Sequence, residues 1–225
     1  MDQVRIIEIK ENIFKSNEEE ADKLRDELKK KKTLLLNLMS SPGSGKTTTL
    51  CQTLKLLQDD YKIAVMEADI DSAVDAETIA KLGKVESIQL HTGGMCHLTA
   101  DMTRQGIESL RTKDLDLIII ENVGNLVCPA EFDTGAFKNL NILSVPEGDD
   151  KPLKYPLMYQ VCQLFLINKM DVAPYFDFSL DKAKANIKMR NKDAIIIPIS
   201  AKTGEGIEEF ASWLRNEIKE FKGEN

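Results

Sequence analysis

The residues of this sequence best suited to bind phosphate lie between Ser40 and Thr47. They read Ser-Ser-Pro-Gly-Ser-Gly-Lys-Thr, follow an apolar run and precede a helical pattern. They match the P-loop motif, except that Ser40 stands where the first glycine is usual. Backbone N–H groups of such a loop surround phosphate oxygens, and the dipole of the following helix adds to the attraction. The loop therefore predicts a nucleotide site.

Side chains of this loop predict how a nucleotide would be held. Lys46 is expected to neutralise the β- and γ-phosphates during catalysis, and the Thr47 hydroxyl to hold Mg²⁺. The other residues expected around the phosphates are Gly43, Ser44, Gly45 and Thr48. No residue stands out as an arginine finger, so we expect intrinsic hydrolysis to be slow.

A second motif, running from Asn168 to Asp171, ends another apolar run and points to the base. It reads Asn-Lys-Met-Asp, the guanine motif of GTPases. The Asp171 carboxylate can accept two N–H bonds, which guanine N1 and N2 offer and adenine does not. Lys169 is expected to lie over the base, Asn168 to brace the loop, and the segment Ser200-Ala201-Lys202 to supply a further guanine contact. The order of the motifs predicts GTP rather than ATP.

Three further residues, Cys96, His97 and Cys128, are candidate metal ligands. The chain has only two histidines, and one of them adjoins Cys96. Thiolate and imidazole are ligands for Zn²⁺, Ni²⁺ or copper. Three ligands leave a tetrahedral site one short, to be completed by water or by a second subunit. His91 is a possible extra ligand, although an exposed position at a strand end is the simpler interpretation. The residues alone leave open that these cysteines are small buried hydrophobes.

The segment after the apolar run 115–120 connects the two candidate sites. Glu121 ends that run and is the acidic residue expected to face Mg²⁺. The stretch from Glu121 to Gly124 occupies the place of the switch that senses the γ-phosphate, and Cys128 lies just beyond it. From this spacing we hypothesise that metal affinity depends on the nucleotide state.

The elements that must position these motifs alternate between strand and helix. Strands are predicted at 33–39, 62–67, 87–91, 115–121, 140–145, 164–168 and 194–199. Helices are predicted after the phosphate loop and at 73–82, 98–111, 157–162, 180–191 and 207–222. This alternation predicts an α/β fold, with a mostly parallel central β-sheet and helices on both faces. Ligands of such sheets bind at the carboxyl ends of the strands, where the motifs fall.

Residues 1–32 are predicted to form a charged helical extension to the domain at 33–225, which contains the candidate nucleotide site and the candidate metal site. Glutamates lie early in the stretch from Ser16 to Lys32 and lysines late, a polarity that suits the helix dipole. Ser16 or Asn17 is a candidate N-cap. We expect a solvated helix that packs loosely or frays.

Composition narrows the class of protein. The net charge of −7 over 225 residues disfavours a nucleic-acid or anionic-membrane surface. The longest apolar runs are strand-sized, and the first residues have no apolar core of a signal peptide. The four cysteines are widely spaced, which predicts no disulfide framework and a reducing, cytoplasmic setting. We interpret Cys51 and Cys162 as small buried hydrophobes.

From about Asn17 to Phe221 the sequence resembles the hydrogenase nickel-incorporation GTPases of the HypB family. The phosphate loop carries part of the resemblance. The more specific parts are Thr92-Gly93 with Cys96-His97-Leu98, the run from Glu121 to Ala130 (ENVGNLVCPA) and the run from Glu147 to Pro156 (EGDDKPLKYP). The urease nickel GTPases are similar, but their Cys-Pro-His metal motif is missing here.

The resemblance implies a SIMIBI-class GTPase that dimerises when GTP binds. It implies delivery of nickel to the large subunit of [NiFe]-hydrogenase, together with a HypA-type nickel-binding protein. It also implies that Cys96, His97 and Cys128 of both subunits hold Zn²⁺ or Ni²⁺ at the dimer interface. Two classes stay open beside it, a urease-type or other metal-delivery GTPase and a signalling GTPase with structural cysteines.

Three further residues gain a role only through the resemblance. It implies that Asp69 contacts Mg²⁺ directly or through water. It implies that Asp75 orients water or reaches the partner subunit. Lys154 is implied to contact nucleotide across the dimer, with an ordinary surface lysine as the alternative.

Overall fold

Within the described residues the central sheet has seven strands, all parallel, in the order β3-β2-β4-β1-β5-β6-β7. The structure is a computed structural model that describes residues 9–69 and 78–224, and side chains at 14–68 and 78–224. The strands are β1 (Leu34–Ser40), β2 (Ile63–Asp69), β3 (Val85–His91), β4 (Leu117–Glu121), β5 (Lys138–Ser144), β6 (Leu164–Asn168) and β7 (Ile195–Pro198). Every residue of β1, β4 and β6 is buried, as expected for strands covered on both faces.

Helices cover both faces of this sheet. They are α1 (Ile9–Lys31), α2 (Lys46–Leu54), α3 (Ala100–Ser109), α4 (Cys128–Glu131), α5 (Lys151–Lys154), α6 (Pro156–Val161), α7 (Leu180–Arg190) and α8 (Ile207–Lys222). Leu34, Leu36 and Leu38 share a core with α2 and α8, whereas Leu35 packs with α1 on the opposite face. This alternation is the period of a strand, and it confirms the predicted α/β fold.

Element bounds agree closely with the pattern of the sequence. The strand at 164–168 and the helix at 207–222 have the predicted ends, and the other predicted elements within the described residues shift by a residue or two. Half of the helix predicted at 73–82 lies outside the described residues. Within the described half, residues 78–80 are helical.

The N-terminal helix differs from its prediction in two respects. Ser16 and Asn17 lie inside α1, which reaches back to Ile9, so neither is its N-cap. Leu24 and Leu28 are each only 2% exposed and belong to the core beneath the sheet. The expectation of a loosely packed helix was therefore wrong, because one apolar stripe of this charged helix is fully buried.

Parallel register brings the candidate residues to one edge. Leu38 of β1 pairs with Glu121 of β4, and Ser144 of β5 pairs with Asn168 of β6. The carboxyl ends of these strands thus carry the phosphate loop, the acidic residue and the base motif side by side. In the part of the chain that the structure describes, no helix is both long and apolar enough to cross a membrane.

Candidate functional site

The phosphate loop joins the end of β1 to the start of α2. Gly43 and Gly45 adopt φ angles of 71° and 97°, which a residue with a side chain rarely adopts. Ser44 donates a hydrogen bond from its hydroxyl to the Ser40 hydroxyl at 2.6 Å. Ser40 is fully buried, so the residue that departs from the P-loop motif braces the loop from inside. The loop retains its concave shape with serine at that position.

Asn168 holds together three segments of the base site. Its side-chain amide donates to the Ser44 carbonyl at 2.8 Å. Its side-chain oxygen accepts from the backbone N–H groups of Lys169 at 2.7 Å and Ala201 at 3.0 Å. All these hydrogen bonds go to backbone, so Asn168 fixes the path of the chain around the site.

Lys169 and Asp171 line a cavity of about 220 Å³. Lys169 has a positive φ of 65° and donates from Nζ to the Gly43 carbonyl at 2.7 Å. Ser200 donates from its hydroxyl to Asp171 Oδ1 at 2.8 Å. The carboxylate is thereby oriented, and its remaining lone pairs can accept N–H groups from a ligand. The other lining residues are Gly45, Thr48, Asn168, Val172, Ala201 and Lys202.

A second cavity, of about 410 Å³, adjoins the first through Gly45, Thr48 and Lys169. Its polar wall is formed by Lys46, Thr47 and Glu121. The Thr47 hydroxyl donates to Glu121 Oε1 at 3.0 Å, and Lys46 Nζ lies 4.0 Å from the same oxygen. A cation, a hydroxyl and a buried carboxylate thus meet beside the phosphate loop, where they can bind phosphate and a hard metal ion.

Sequence reasoning missed one acidic residue of this region. Glu67 is 3% exposed and pairs in register with Glu121 on the neighbouring strand. A charged residue within the apolar run of β2 was the signal that could have found it, since such a residue is rarely buried without a partner.

Cys96, His97 and Cys128, which we name the Cys/His cluster, come together in space. Their ligand atoms all lie within 4.8 Å of one another, and each residue is partly buried. Cys96 Sγ is 3.9 Å from His97 Nδ1. Two thiols and an imidazole at this spacing can ligate one soft or borderline metal ion.

The electrostatics of the Cys/His cluster favour binding of a cation. The neighbouring Cys96 thiol and burial raise the pKa of Cys128, while a hydrogen bond with Asn125 works the other way. Burial lowers the pKa of His97, although the negative charge of Glu131 acts to raise it. The lowered pKa favours the neutral imidazole, which is the form that ligates metal, and a bound cation would offset the cost of ionising two adjacent thiols.

An aromatic contact beside the cluster had no counterpart in the sequence analysis. The His97 ring stacks on Phe132 with centroids 3.7 Å apart and an interplanar angle of 12°. Phe14 of α1 packs against the same phenylalanine at 4.8 Å. No spacing rule connects these residues, because they meet only when distant segments pack together.

The segment between the two sites touches the phosphate loop on its way. Asn122 donates from its backbone N–H to the Leu38 carbonyl at 2.9 Å and from its side chain to Asn37 at 3.0 Å. A Cβ added to Gly124 would lie 3.1 Å from Pro42. A displacement of the phosphate loop would therefore also displace this segment. The segment continues into α4, whose first residue is Cys128.

For the remaining predicted residues the structure describes no part in these contacts. Asp75 falls outside the described residues, and Asp69 ends β2 without a described side chain. His91 is exposed at the end of β3 and is not a member of the Cys/His cluster. Lys154 pairs with Asp150 on the surface at 2.5 Å. Of the other two cysteines, Cys162 is fully buried as interpreted, whereas Cys51 is only partly buried.

Comparison with known proteins covers almost the whole chain. Residues 34–198 match the family described as CobW/HypB/UreG, nucleotide-binding domain. The chain is 43% identical over 217 residues to the hydrogenase maturation factor HypB of Escherichia coli K12, covering 96% of this chain and 74% of that protein.

Solved structures agree with this match. The crystal structure of HypB from Helicobacter pylori in complex with nickel has a TM-score of 0.85 and 38% identity, covering 91% of this chain and 96% of that one. FtsY from Mycoplasma mycoides has a TM-score of 0.56 at 17% identity, covers 78% of this chain and 61% of that one, and shares the fold alone. The fold is that of the SIMIBI class of P-loop NTPases, as the resemblance implied.

Proposed function

Because the chain belongs to the CobW/HypB/UreG family, and within it to the HypB proteins, we propose that it is a GTPase that delivers nickel during maturation of [NiFe]-hydrogenase. The observation that carries the proposal is the segment from Glu121 to Cys128. It begins in contact with the phosphate loop and ends in the Cys/His cluster. One short stretch of chain thus belongs to a nucleotide site and to a metal site, so binding of nucleotide and binding of metal can each change its conformation.

The base site supports GTP over ATP. Asp171 is oriented by Ser200 and faces a cavity large enough for part of a nucleotide. Guanine would donate from N1 and N2 to this carboxylate, whereas adenine presents an acceptor at N1. The stem of Lys169 would cover the base, and Lys202 would lie at the rim of the same cavity.

The phosphate site supports slow hydrolysis through positioning and charge. Thr47 and Glu121 supply adjacent oxygen donors, which fit Mg²⁺, and Asp69 is a further proposed contact. Mg²⁺ would neutralise charge that develops on the transferred phosphate. Lys46 and the loop N–H groups would hold the β- and γ-phosphates in line with an attacking water, which Asp75 is proposed to orient.

The Cys/His cluster would hold the cargo. Thiolate and imidazole suit Ni²⁺ as well as Zn²⁺, so the proposed site accepts either ion. Three ligands from one chain leave room for donors from a second copy. Val127, 50% exposed, and Met95, 43% exposed, flank the ligands with apolar surface. These features support a homodimer that closes when GTP binds, with Lys154 reaching nucleotide across it.

The proposed cycle requires partners that the family relationship suggests. A HypA-type protein would exchange nickel with the Cys/His cluster, and the large subunit of [NiFe]-hydrogenase would receive the metal. All four cysteines are free thiols, which supports action in a reducing compartment such as the cytoplasm.

The test is nickel titration with GTPγS and with GDP, with molar mass read by light scattering. We expect GTPγS to drive dimerisation and to change the nickel affinity of the wild type. Cys128→Ala should lose nickel binding yet still hydrolyse GTP, because the thiol lies outside the phosphate cavity. Cys51→Ala is the matched control, since it removes a thiol that is not in the cluster.

Two results would contradict the proposal. The first is a wild type whose nickel affinity and mass are the same with either nucleotide. The second is a Cys128→Ala variant that binds nickel as well as Cys51→Ala does. The first would leave a GTPase with an independent or structural metal site as the better account, and the second a GTPase with structural cysteines.

A further inference from the structure

Helix α1 makes contact with both segments that carry the Cys/His cluster. The side chain of Asn17 accepts a hydrogen bond from the Ala100 N–H at 2.9 Å and donates to the Asp133 carbonyl at 2.8 Å. Ala100 begins α3, shortly after Cys96 and His97. Asp133 follows α4, whose first residue is Cys128. One side-chain amide therefore bridges the two halves of the cluster.

The hydrogen bonds of Asn17 are of a kind that fixes backbone. Asn17 is 9% exposed and Ala100 is fully buried, so water does not readily replace the amide. The Ala100 N–H belongs to the first turn of α3, where no helical carbonyl is available to it. Removing the Asn17 amide would leave that group and the Asp133 carbonyl without this partner.

Charged side chains reinforce the same attachment on both sides. Arg25 of α1 forms an ion pair with the Asp133 carboxylate and donates from Nε to the Ala136 carbonyl at 3.1 Å. Arg104 of α3 donates to Glu20 and Glu27 of α1, each at 2.7 Å. The helix is thus tied to the segment after Cys128 and to the helix after His97.

A stack of rings adds a direct contact to one ligand. Phe14 of α1 packs on Phe132, and Phe132 stacks face to face on His97. A planar contact on one face of the imidazole limits rotation of the ring. The orientation of His97 therefore depends on Phe132, which Phe14 of α1 contacts.

We infer that α1 is the scaffold that sets the spacing of the metal ligands, and that Asn17 and Phe132 are positioning residues for nickel. The inference rests on the proposed function in taking the Cys/His cluster as the nickel site. Neither residue ligates the ion. Groups that orient ligands typically change metal affinity by about 10- to 100-fold when they are removed.

The experiment compares nickel affinity among variants of the full chain. Nickel chloride is titrated against a competing chelator, and the thiolate-to-nickel absorption band is recorded with each addition. Asn17→Ala and Phe132→Leu should each bind nickel about 10-fold more weakly and shift the band, because the ligand geometry changes. Their GTP hydrolysis should match that of the wild type, since neither residue touches the phosphate or base cavity.

A control separates positioning from general loss of stability. Leu28 is also buried on α1 but packs near Thr33 and Ile107, at the end of the helix away from Asn17. Leu28→Ala should lower the unfolding temperature and leave nickel affinity unchanged. Phe132→Leu keeps an apolar side chain, so it tests the inference even if Asn17→Ala does not fold.

The outcomes distinguish failure of the inference from failure of the proposed function. Unchanged nickel affinity in Phe132→Leu and in folded Asn17→Ala, with loss in Cys128→Ala, would overturn the scaffold and retain the nickel site. Weakening in Leu28→Ala equal to that in Phe132→Leu would also overturn it. A wild type that binds no nickel through thiolate would overturn both.

Discussion

Gly45 and Asn168 lie so close that a Cβ on the glycine would be 2.5 Å from the Asn168 side-chain nitrogen. The contact places the turn of the phosphate loop directly against the residue that braces the base site. Binding of phosphate and binding of the base therefore depend on one shared contact.

Gly45→Ala should destabilise the fold and weaken nucleotide binding. The new methyl group would displace Asn168, whose hydrogen bonds to Ser44 and Ala201 would be lost or lengthened. The positive φ of 97° adds about 1 kcal/mol or more for a residue with a side chain. Thermal unfolding and titration with a fluorescent GDP analogue measure the two effects.

The matched control is Gly223→Ala. Gly223 also has a positive φ, of 72°, but a Cβ there meets no atom of the described residues within 4 Å. It should lose stability through the backbone conformation alone and bind nucleotide normally. Equal nucleotide affinity in both variants would contradict the role given to the Asn168 contact.

Asp171→Asn should change the preferred base from guanine to xanthine. An asparagine can accept from N1–H and donate to the xanthine O2 carbonyl, whereas it presents an N–H group to the guanine 2-amino group. We expect about 100-fold weaker GTP binding, because the charge-assisted hydrogen bond to the 2-amino group is lost and an N–H group faces that amino group instead. XTP should recover the lost affinity and support hydrolysis.

An exposed acid provides the control for Asp171. Asp177 lies nearby in sequence and is exposed to solvent. Asp177→Asn should leave the preference for GTP intact. If Asp171→Asn still preferred GTP over XTP, the base would have to be selected by another group.

Local spacing was sufficient to predict the fold and most of the candidate site. The phosphate loop and the base motif depend on residues close together in the chain, and the α/β alternation places both at one edge of the sheet. Their spatial relation follows from parallel register, as in the pairing of Leu38 with Glu121. The Cys/His cluster could be predicted from the sequence because the chain has few cysteines and histidines.

What the sequence did not reveal depends on contacts between distant segments. The many charged residues of α1 favoured the interpretation of a solvated helix, although Ala21, Leu24 and Leu28 form an apolar stripe. That this stripe is buried is evident only from the packing of α1 against the core. Asparagine is a residue type that often caps a helix, yet the partners of Asn17 are Ala100 and Asp133, which are far away along the chain. No periodicity within one segment specifies such a bridge.

The Glu86 carboxylate should contribute to the free energy of unfolding, and this contribution should disappear at acid pH. Burial of this carboxyl acts to raise its pKa, but hydrogen bonds from the N–H groups of Arg111 and Thr112, at 2.8 and 2.7 Å, outweigh it and lower the pKa. A lowered folded pKa means that the contribution is present above the unfolded value of about 4.3 and is lost as pH falls through the folded pKa.

Glu86→Gln isolates this dependence. The free energy of unfolding should fall more steeply for the wild type than for the variant as pH is lowered from about 5 to 3, because only the carboxylate takes up a proton. Urea unfolding at each pH gives the measurement. Parallel curves for the two proteins would contradict the assignment.

Gly124→Ala should uncouple nickel binding from the nucleotide. The added methyl group would lie 3.1 Å from Pro42 atoms of the phosphate loop, including backbone, so the chain at Gly124 would be pushed away from the loop. All three ligands of the Cys/His cluster are retained. Nickel affinity with GDP should therefore equal that of the wild type, while the change that GTPγS produces should shrink. The two titrations are run on the same preparation, with GTP hydrolysis as the check that the phosphate site is intact. A variant with full coupling would show that the contact between Gly124 and Pro42 does not transmit the nucleotide state.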